Sequence, residues 1–590
     1  MSWRERLPTE LIPTPIPVDS KKKSVEIEEY RRRFRSRKIE FAIKFGGWLS
    51  GVLWRAIRGH KDEREDAKRL RLLFESLGAL WIKLGQLISL RSDVLSPAMC
   101  EELARLQFRS VGFPWFQAKR IMEEDLGRPV TQVFASIEPT PMAAASICQV
   151  HRARLRGSGF EVIVKVQRPY VEQDMTRDMQ ILELFLGIFK TLHIMSFLRW
   201  DSLIWELRQI LLEEVDYRYE ASNQRRMRKM LRPQRVYVPR LIDDLCSKRV
   251  LVMEYVPGGL MSDYLELYRS DPAKLAAWLE ENNIDPKRTG IRLFRSFFRQ
   301  LMEENFFHAD LHPGNILLLR DSRFCLIDFG SAGSVERNLL RIYTMSLMAL
   351  AEQDFRRAVD YTLLMCEELP PVGIDEAKVE MIRSYREWSA RSSLRGVDYH
   401  EKSIAAAGAA SGQVMGKYKI AASWQFLKVS RTWVTMDASL SYLIDDSNFI
   451  SMIKSYFRDR NKRMKRSKGK PAVESVVNGL SEVFLLEGEN LRRQMQRLGD
   501  VTSTAAAVIA MVLTGVRYLV ALAILIQTAY LILEQLFKIR IPALGLRLFE
   551  GFEDRWSLGA MGWLLVLIVM TLLWFRIGRI VRGLLTKEAA

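Results

Sequence analysis

The sequence predicts an α+β protein with a small lobe that contains the β-strands and a larger lobe that is mainly helical. Three observations support this fold class. Two β-type runs, EVIVKV and RVLVMEYV, enclose a helical stretch from Val171 to about Met230. After Asp271 the pattern is mainly helical down to about residue 460. One polar motif, FFHADLHPGNILLLRDSRFCLIDFG, interrupts this helical region with three carboxylates, an amide and two histidines.

Length and composition narrow the class of protein. With 590 residues, the chain can bury a large core and hold more than one structural unit. Apolar residues make up 48% and charged residues 27%, which excludes a disordered chain and a wholly membrane-embedded one. The five cysteines have no paired spacing, as is typical of a reducing compartment. The first residues lack the apolar core of a signal peptide, so no cleaved targeting segment is expected.

The net charge of +19 indicates an anionic partner. Nucleotide phosphates, a membrane surface and nucleic acid are the candidate classes. The chain has no zinc-finger spacing and no RNA-binding aromatic signature, so nucleic acid is not expected. A basic tract from Arg458 to Lys470 is interpreted either as a solvated linker or as a contact with anionic lipid headgroups. The apolar stretches that follow this tract favour the lipid contact.

The N-terminal third is predicted to begin irregularly and then to form helices. After a Pro-rich opening and a basic stretch, the run from Phe41 to Ile57 is short for a membrane span and contains Lys44. It predicts an amphipathic helix that lies at a membrane interface or packs on the soluble core. Between about Asp62 and Leu90, apolar residues recur at helical spacing, and this segment contains the sequence WIKLGQLISL.

The polar motif has the spacing of a phosphotransfer site. Asp310 follows His308 and precedes Asn315 by five residues, which matches the kinase catalytic-loop pattern H-x-D-x-x-x-x-N. In that pattern the Asp accepts the proton of the attacking hydroxyl, and the Asn binds magnesium. Thirteen residues after Asn315, a β-type run ends in Asp328-Phe329-Gly330, which adds a carboxylate as a second hard ligand for Mg²⁺. A lone DFG is weak evidence, but the two motifs together predict a site for Mg²⁺ and ATP or ADP.

A lysine and a small-residue loop upstream complete the predicted nucleotide site. Lys165 lies inside EVIVKV, and a lysine buried in a strand requires a carboxylate partner, for which Glu220 on a helical segment is the candidate. The loop ahead of that strand, PMAAASICQVH, has alanines where a protein kinase has glycines. Small side chains still let the backbone approach phosphates, whereas alanine makes the loop stiffer than glycine would.

The chain resembles the UbiB/ADCK family of atypical kinase-like proteins, which act in ubiquinone and related prenylquinone biosynthesis. The resemblance covers residues 62–340 by motif and continues through the helical region to about 460. It rests on KLGQ at 83–86, AAAS at 143–146 with QVH at 149–151, VKVQRP around Lys165, EVD at 214–216 with Glu220, and the motifs at 308–315 and 328–330. Cys148 stands where the family usually has a small residue, and the basic N-terminal segment does not map onto the family.

The resemblance implies a protein-kinase-like two-lobed fold with an N-terminal helical extension that carries the KxGQ motif. In the family this motif folds over the place where a protein kinase binds its peptide, and it faces the ExD motif. Lys83 is therefore assigned to the catalytic site beside Asp310 and Lys165, although composition alone would make it a solvated lysine. The other motif residues are Gln86, Glu214 and Asp216, and the nucleotide site is assigned to Ala143, Ala144, Ala145, Ser146, Lys165, Glu220 and Glu254.

The C-terminus is predicted to form a two-helix transmembrane hairpin like that of bacterial UbiB proteins. The first span lies within Thr504–Leu536 and contains Arg517, and the second runs from Leu558 to Phe575. A buried helical hairpin in a soluble domain is the alternative. Arginines before the first span and after the second place both ends in the cytoplasm, although the intervening loop is also basic. These features predict a multi-pass protein of the bacterial inner membrane with its kinase-like domain in the cytoplasm.

The predicted organisation has six segments: a basic, membrane-interfacial N-terminus (1–60), the KxGQ extension (61–130), the small lobe (131–256), the large lobe (257–470), a basic helical linker (471–503) and the transmembrane helices (504–585).

Three functions are compatible with this organisation. The first is a membrane-anchored Mg-ATP-dependent kinase or ATPase that supports prenylquinone synthesis, with membrane lipids, prenylquinone precursors and quinone-biosynthesis proteins as partners. The second is a phosphotransferase of the aminoglycoside or choline kinase type, and the third is a nucleotide-binding scaffold for lipid handling.

Overall fold

The computed structural model describes the following residues of this chain: 7–18, 25–27, 37–57, 63–89, 91, 95–106, 111–145, 147–191, 200–369, 373–394, 396–444, 448–466 and 516. The chain divides into two units, Met1–Ala472 and Val473–Ala590, and the elements described here belong to the first. The predicted linker and, apart from Val516, the predicted transmembrane hairpin lie outside the described residues, as does Ser146. Within the described part, no helix combines the length and apolarity that a membrane span requires.

Four helices precede the lobes: α1 (Arg37–Ile57), α2 (Glu63–Leu77), α3 (Ala79–Ile88) and α4 (Pro97–Ala104). The sequence pattern predicted helical structure from about Asp62 to Leu90, and the structure breaks it at Gly78. This glycine has φ of 104° and ψ of −162°, a conformation that only glycine adopts readily. The break lets both α2 and α3 bury their apolar faces in one cluster, which includes Leu77 and Trp81.

Helix α1 packs on this cluster with one face and leaves the other face exposed. Phe41 stacks on Trp81 with a centroid separation of 4.8 Å, and the Arg37 guanidinium forms a buried ion pair with Asp178, Nε to Oδ1 2.7 Å. The prediction that the helix packs on the soluble core is thus confirmed for this face. The apolar side chains on the other face have exposed fractions of 60% (Ile39), 69% (Ile43) and 55% (Trp54).

The small lobe contains an antiparallel sheet in the order β1-β3-β4-β5, with β2 paired to β3. Both β-type runs are confirmed as strands, and the helical stretch between them forms three helices. The elements in chain order are α5 (Trp115–Leu126), α6 (Val130–Val133), β1 (Phe134–Ile137), β2 (Ala143–Ala144), β3 (Cys148–Leu155), β4 (Glu161–Gln167), α7 (Val171–Thr191), α8 (Trp200–Glu214), α9 (Tyr217–Leu231) and β5 (Val250–Glu254).

The alternation of side chains along β4 determines where its lysine points. Val162, Val164 and Val166 are fully buried in the core that the sheet shares with α5. Because successive side chains of a strand point to opposite faces, Lys165 lies on the other face of the sheet. That face is the one covered by α9.

The large lobe is mainly helical, as predicted, with two small sheets, β6-β7-β8 and β9-β10. Its core contains an aromatic group around Trp433, whose indole nitrogen donates to the Tyr343 hydroxyl at 2.6 Å. The elements are β6 (Gly259–Leu260), α10 (Met261–Ser270), α11 (Pro272–Glu281), α12 (Pro286–Met302), β7 (Ile316–Leu319), β8 (Arg323–Leu326), α13 (Arg337–Glu352), α14 (Phe355–Leu364), β9 (Cys366–Glu368), α15 (Ile374–Ser393), α16 (Tyr399–Lys402), α17 (Ile404–Lys417), β10 (Ala421–Ala422), α18 (Trp424–Leu440) and α19 (Phe449–Arg466).

Gly85 of the KLGQ sequence is predicted to be intolerant of a side chain. A Cβ at this position would lie 2.1 Å from Leu106 Cδ1 and 2.7 Å from Phe74 Cδ2, both in buried side chains. Overpacking of this kind costs about 1–3 kcal/mol, so Gly85→Ala should lower the midpoint of thermal unfolding. Gly47→Ala on α1, where no atom lies within 4 Å, is the matched control. Equal midpoints for the two variants would contradict the predicted packing constraint.

Candidate active site

The cleft between the lobes contains a lysine held by two carboxylates. The Lys165 ammonium lies 2.9 Å from Glu220 Oε2 and 3.0 Å from Oε1, and 3.3 Å from Asp328 Oδ2. Strand β4 supplies the lysine, α9 supplies the glutamate, and the segment after β8 supplies the aspartate. The predicted ion pair between Lys165 and Glu220 is therefore confirmed, and the structure adds a third member, Asp328.

Burial and the neighbouring charges have opposing effects on the pKa values of these three side chains. Burial disfavours the Lys165 ammonium, but Asp328 and Glu220 outweigh it and raise its pKa well above the usual value. The surrounding protein disfavours the ionised form of Asp328 even though the side chain is half-exposed to the cleft, yet the neighbouring ammonium lowers the pKa of this carboxyl to about 2. For Glu220 burial prevails over Lys165 and, together with the charge of Asp328, raises the pKa to about 7. Lys165 and Asp328 are thus charged at neutral pH, and Glu220 titrates near it.

The catalytic loop is organised by a buried histidine. His308 Nε2 donates to the Ile327 carbonyl at 3.0 Å, and its Nδ1 accepts from the Asp310 backbone N–H at 3.2 Å. Asn315 donates its side-chain amide to the Asp310 carbonyl at 3.0 Å, while its own carbonyl accepts from the Ile327 N–H at 3.0 Å. Burial lowers the pKa of His308, so the ring is neutral and acts as a positioning group.

The DFG segment is fixed from both sides. Asp328 has a φ of 62°, a left-handed conformation that is uncommon outside glycine and is characteristic of constrained functional residues. The Phe329 ring is fully buried, with its centroid 5.2 Å from that of the His308 ring. From α9, Asn223 Nδ2 donates to the carbonyls of Phe329 and Ala332 at 3.1 and 3.3 Å. Helix α9 therefore contacts both Lys165, through Glu220, and the DFG backbone.

The donor groups of this region are suited to Mg²⁺. Asn315 uses its side-chain nitrogen for the Asp310 carbonyl, which leaves its amide oxygen as an acceptor. The Asp328 carboxylate is half-exposed, with 47% of its side chain accessible. Mg²⁺ prefers hard oxygen ligands and is commonly held by one or two protein groups together with phosphate oxygens. The described residues contain no group of three or more His, Cys, Asp or Glu side chains that would hold a metal by themselves.

The Ala-rich loop is anchored by an arginine. Ala143 and Ala144 form the short strand β2, and the Ala145 N–H donates to the Cys148 carbonyl at 2.8 Å. The Arg168 guanidinium donates to the Ala145 carbonyl at 3.2 Å from Nε and 3.1 Å from its terminal nitrogen, and it also contacts the Val111 carbonyl. These bonds restrain the loop beyond the stiffness of alanine itself.

The two remaining motifs meet across the extension and the small lobe. Lys83 on α3 forms an ion pair with Glu214 at the end of α8, which confirms the expected proximity of KxGQ and ExD. Asp216 has a different role, because its carboxylate caps α9 by accepting from the Arg218 N–H at 3.0 Å. Gln86 donates to the Leu106 carbonyl at 3.0 Å and so ties α3 to the segment after α4.

A cavity of about 450 Å³ lies beside the catalytic aspartate, beneath the KLGQ helix. Ala309 and Arg431 connect it to the catalytic loop, since the Arg431 guanidinium lies 3.7 Å from Asp310 Oδ2. Apolar and charged groups alternate on its wall, which includes Leu87, Trp205, Glu206, Ile210, Glu213, Trp424 and Lys428. Burial raises the pKa of both Glu206 and Glu213.

The kinase-like region matches a known family. Residues 105–362 match the model of the ABC1 atypical kinase-like domain. Curated relatives named probable protein kinase UbiB are 34% identical over 329 residues in Erwinia tasmaniensis and 35% identical over 320 residues in Cronobacter sakazakii. The kinase-like region of the chain is thus similar to the ABC1 atypical kinase-like domain and to UbiB proteins. These alignments cover 55% and 53% of this chain, and the chain spans 58% and 56% of the two relatives' lengths.

One solved structure was also similar, the complex of Rv3197 with erythromycin from Mycobacterium tuberculosis. That chain is 22% identical, with a TM-score of 0.39 over 56% of this chain and 83% of the other.

The family motifs account for most, but not all, of the predicted site residues. Lys165, Glu220, Asp328, Asp310 and Asn315 surround one cleft. Glu254, the last residue of β5, has other partners. Its carboxylate accepts hydrogen bonds from the Tyr237 hydroxyl at 2.8 Å and from the Arg240 N–H at 3.0 Å. A role of Glu254 in nucleotide binding stays a prediction, as does that of Ser146, which the structure does not describe.

Sequence reasoning missed two positioning residues. Arg168 follows Lys165 by three residues in VKVQRP, a motif in which only the lysine has an assigned role. Arg431, 121 positions after Asp310, has no recognisable motif around it. The first could have been found from its place in a matched motif, whereas the second becomes evident only when α18 is packed against the catalytic loop.

Proposed function

We propose that this chain is a membrane-anchored atypical kinase or ATPase that binds Mg-ATP and supports the biosynthesis of ubiquinone or a related prenylquinone. The observation that carries the proposal is the convergence of Lys165, Glu220 and Asp328 beside the loop with Asp310 and Asn315. Lysine and aspartate in this arrangement serve phosphate and metal binding in kinases. The similarity to UbiB proteins supports the quinone pathway as the biological context.

Each side chain has a defined part in the proposed reaction. Lys165 binds phosphate oxygens of ATP, and Asn315 and Asp328 hold Mg²⁺, which offsets the phosphate charge. Asp310 accepts the proton of the attacking hydroxyl, and the oxygen of that hydroxyl forms a bond to the γ-phosphorus. The bond between the γ-phosphorus and the β–γ bridging oxygen breaks at the same time, and ADP leaves. With water as the attacking group the products are ADP and inorganic phosphate. With a substrate hydroxyl the product is its phosphate ester.

The cavity beside Asp310 favours a small amphipathic acceptor over a peptide. The Lys83–Glu214 ion pair holds the KLGQ helix over the region where the cavity opens, which restricts access for an extended chain. The indole rings of Trp205 and Trp424 suit an apolar body, and Arg431 and Lys428 suit a polar head. This covering distinguishes the proposal from a phosphotransferase of the aminoglycoside or choline kinase type. The complete set of phosphate and metal ligands distinguishes it from a scaffold without turnover.

Several features support attachment to the bacterial inner membrane. The exposed face of α1 is apolar, and the basic tract that begins at Arg458 precedes the two C-terminal apolar stretches. Anionic lipids attract basic segments by about 1 kcal/mol per residue near the surface. Membrane lipids, prenylquinone precursors and quinone-biosynthesis proteins are the proposed partners, with the kinase-like domain in the cytoplasm.

Replacing the base and the metal ligand should have different effects. Asp310→Asn should lower ATP turnover by roughly 10²- to 10⁴-fold with the fold intact, because it removes a general base. Asp328→Asn should weaken Mg-nucleotide binding itself, because it removes a charged metal ligand. Steady-state turnover and calorimetric binding measure the two effects. Asp244→Asn, the same change at an exposed position, is the control, and full turnover in either site variant would eliminate the kinase-like mechanism.

Nucleotide affinity should depend on pH through Glu220. Above about pH 7 its carboxylate is ionised and holds Lys165, whereas below this pH protonation weakens the pair. Affinity for Mg-ADP should therefore fall as the pH is lowered from about 8 to about 6. Lys165→Ala should reduce affinity at every pH, and Glu220→Gln should reduce it less and remove the difference between the two pH values. A Glu220→Gln variant with the wild-type pH profile would refute this assignment.

Lipids rather than proteins should stimulate the enzyme. A stiff Ala-rich loop and a covered cleft leave the base and the metal ligands in place while they restrict peptide access. We expect little or no phosphorylation of casein-type substrates, and ATP hydrolysis that rises with anionic liposomes or quinone-like lipids. Labelled ATP with each addition measures both reactions. Strong peptide phosphorylation with no response to lipid would instead indicate an ordinary protein kinase.

A further inference from the structure

Two adjoining cavities on another part of the chain are lined mainly by arginines. The smaller, of about 250 Å³, lies between the second half of α12, β8 and α19, and the larger, of about 570 Å³, lies along the second half of α9. They share Arg235, Val236 and Arg323, and we call them together the arginine pockets. Their basic residues are Arg225, Arg228, Lys229, Arg232, Arg235, Arg292, Arg295, Arg299, Arg323 and Arg463.

The charges at the rim of the arginine pockets are neutralised by carboxylates. Arg225 pairs with Asp243 at 2.6 Å, and Arg295 pairs with Asp459 at 3.3 Å. Arg463 and Arg299 both face Glu303. These residues form ordinary surface ion pairs, which explains their presence without a ligand.

The central arginines are different. In the part of the chain that the structure describes, Arg235, Arg292 and Arg323 have no carboxylate within 4.0 Å. Arg292 is instead held in place by two carbonyls, since it donates to Asp321 O at 2.8 Å and to Ser322 O at 2.7 Å. Burial and the nearby positive charges of Arg288, Arg323 and Arg235 lower the pKa of Arg292, and the charge of Asp321 only partly opposes them.

Unused hydrogen-bonding groups lie in the same place. Both the nitrogen and the oxygen of the Gln234 side-chain amide are inaccessible to solvent and have no hydrogen-bond partner, and Gln234 lines the smaller cavity. The Nε of Arg299 is buried without a hydrogen bond, although Glu303 Oε2 lies 3.7 Å from it. Native proteins seldom leave buried polar groups unpaired, so each such group calls for a partner.

We propose that the arginine pockets bind a phosphate group that carries at least two negative charges. A multivalent anion would relieve the repulsion among Arg235, Arg292 and Arg323 and would accept hydrogen bonds from their planar guanidinium groups, which suit phosphate oxygens. The cavities are concave, and the larger has the volume of a small-molecule site. The phosphate belongs to a soluble polyphosphate ester or to a lipid headgroup.

This site is separate from the nucleotide cleft. Glu220 lies in the first turn of α9, whereas Arg235 follows the end of the same helix. At about 1.5 Å per residue, the 11 residues that follow Glu220 to the end of α9 alone span roughly 16 Å. The proposal therefore stands or fails independently of ATP turnover at Asp310.

The test compares Arg235→Gln/Arg323→Gln with wild-type full-length protein that is saturated with Mg-ADP, so that the nucleotide cleft is filled. Calorimetry with inorganic triphosphate measures binding of a soluble phosphate. Flotation with vesicles of phosphatidic acid, whose phosphomonoester can carry two negative charges, and phosphatidylcholine, against phosphatidylcholine alone, measures binding of lipid headgroups. We expect the double variant to lose affinity for one of these probes by roughly tenfold or more, because two charge-assisted contacts are removed.

The control is Arg154→Gln/Arg383→Gln, which makes the same change in charge at exposed positions outside the arginine pockets. Loss of triphosphate binding only in the first variant supports a soluble ligand, and loss of vesicle binding only in that variant supports a lipid headgroup. Equal behaviour of the two double variants with both probes overturns the proposal. Mg-ADP affinity and thermal unfolding report on the fold, and the single variant Arg235→Gln, at an exposed position, serves if the double variant unfolds.

Discussion

A buried lysine ammonium between two carboxylates is the interaction on which the arrangement of the cleft depends. Lys165, Glu220 and Asp328 come from a strand, a helix and a loop of different lobes, and a buried charge in such a place is costly unless it is paired. The pairing constrains all three elements at once. Helix α9 is in turn capped by Asp216 and bonded through Asn223 to the DFG backbone, so the glutamate and the metal-binding segment are positioned together.

The helical extension adds a second constraint, which acts on access rather than on chemistry. Gly78 turns the chain so that α2 and α3 both pack on one apolar cluster, and the Lys83–Glu214 pair then fixes α3 beside the cavity next to Asp310. Arg168 restrains the Ala-rich loop on the nucleotide side. The side chains around Lys165 and Asp310 keep their positions in the cleft, while the Ala-rich loop and α3 are each tied to neighbouring segments.

The cleft and the arginine pockets differ in how their positive charges are balanced. Around the cleft, cations and carboxylates alternate, as in Lys165 with Asp328 and Arg431 with Asp310. In the arginine pockets Arg235, Arg292 and Arg323 instead have no carboxylate within 4.0 Å among the described residues. Helix α9 joins these two regions, with Glu220 near its start and the arginines at and beyond its end. A net charge alone could not distinguish a region that is internally balanced from one that requires an external anion.

The sequence alone determined the chemistry of the cleft and the succession of the main elements. Spacing identified Asp310, Asn315 and Asp328, because catalytic loops place these groups a fixed number of residues apart, and the burial expected of a lysine within a strand pointed to Glu220. Motif resemblance brought Lys83 near Glu214. The tertiary structure alone decided the break at Gly78, the capping role of Asp216, the separate network of Glu254 and the position of Arg431. These features depend on contacts between segments that are far apart in the chain. Helical periodicity and motif spacing describe only local sequence, so they do not predict which distant groups will lie within hydrogen-bonding distance.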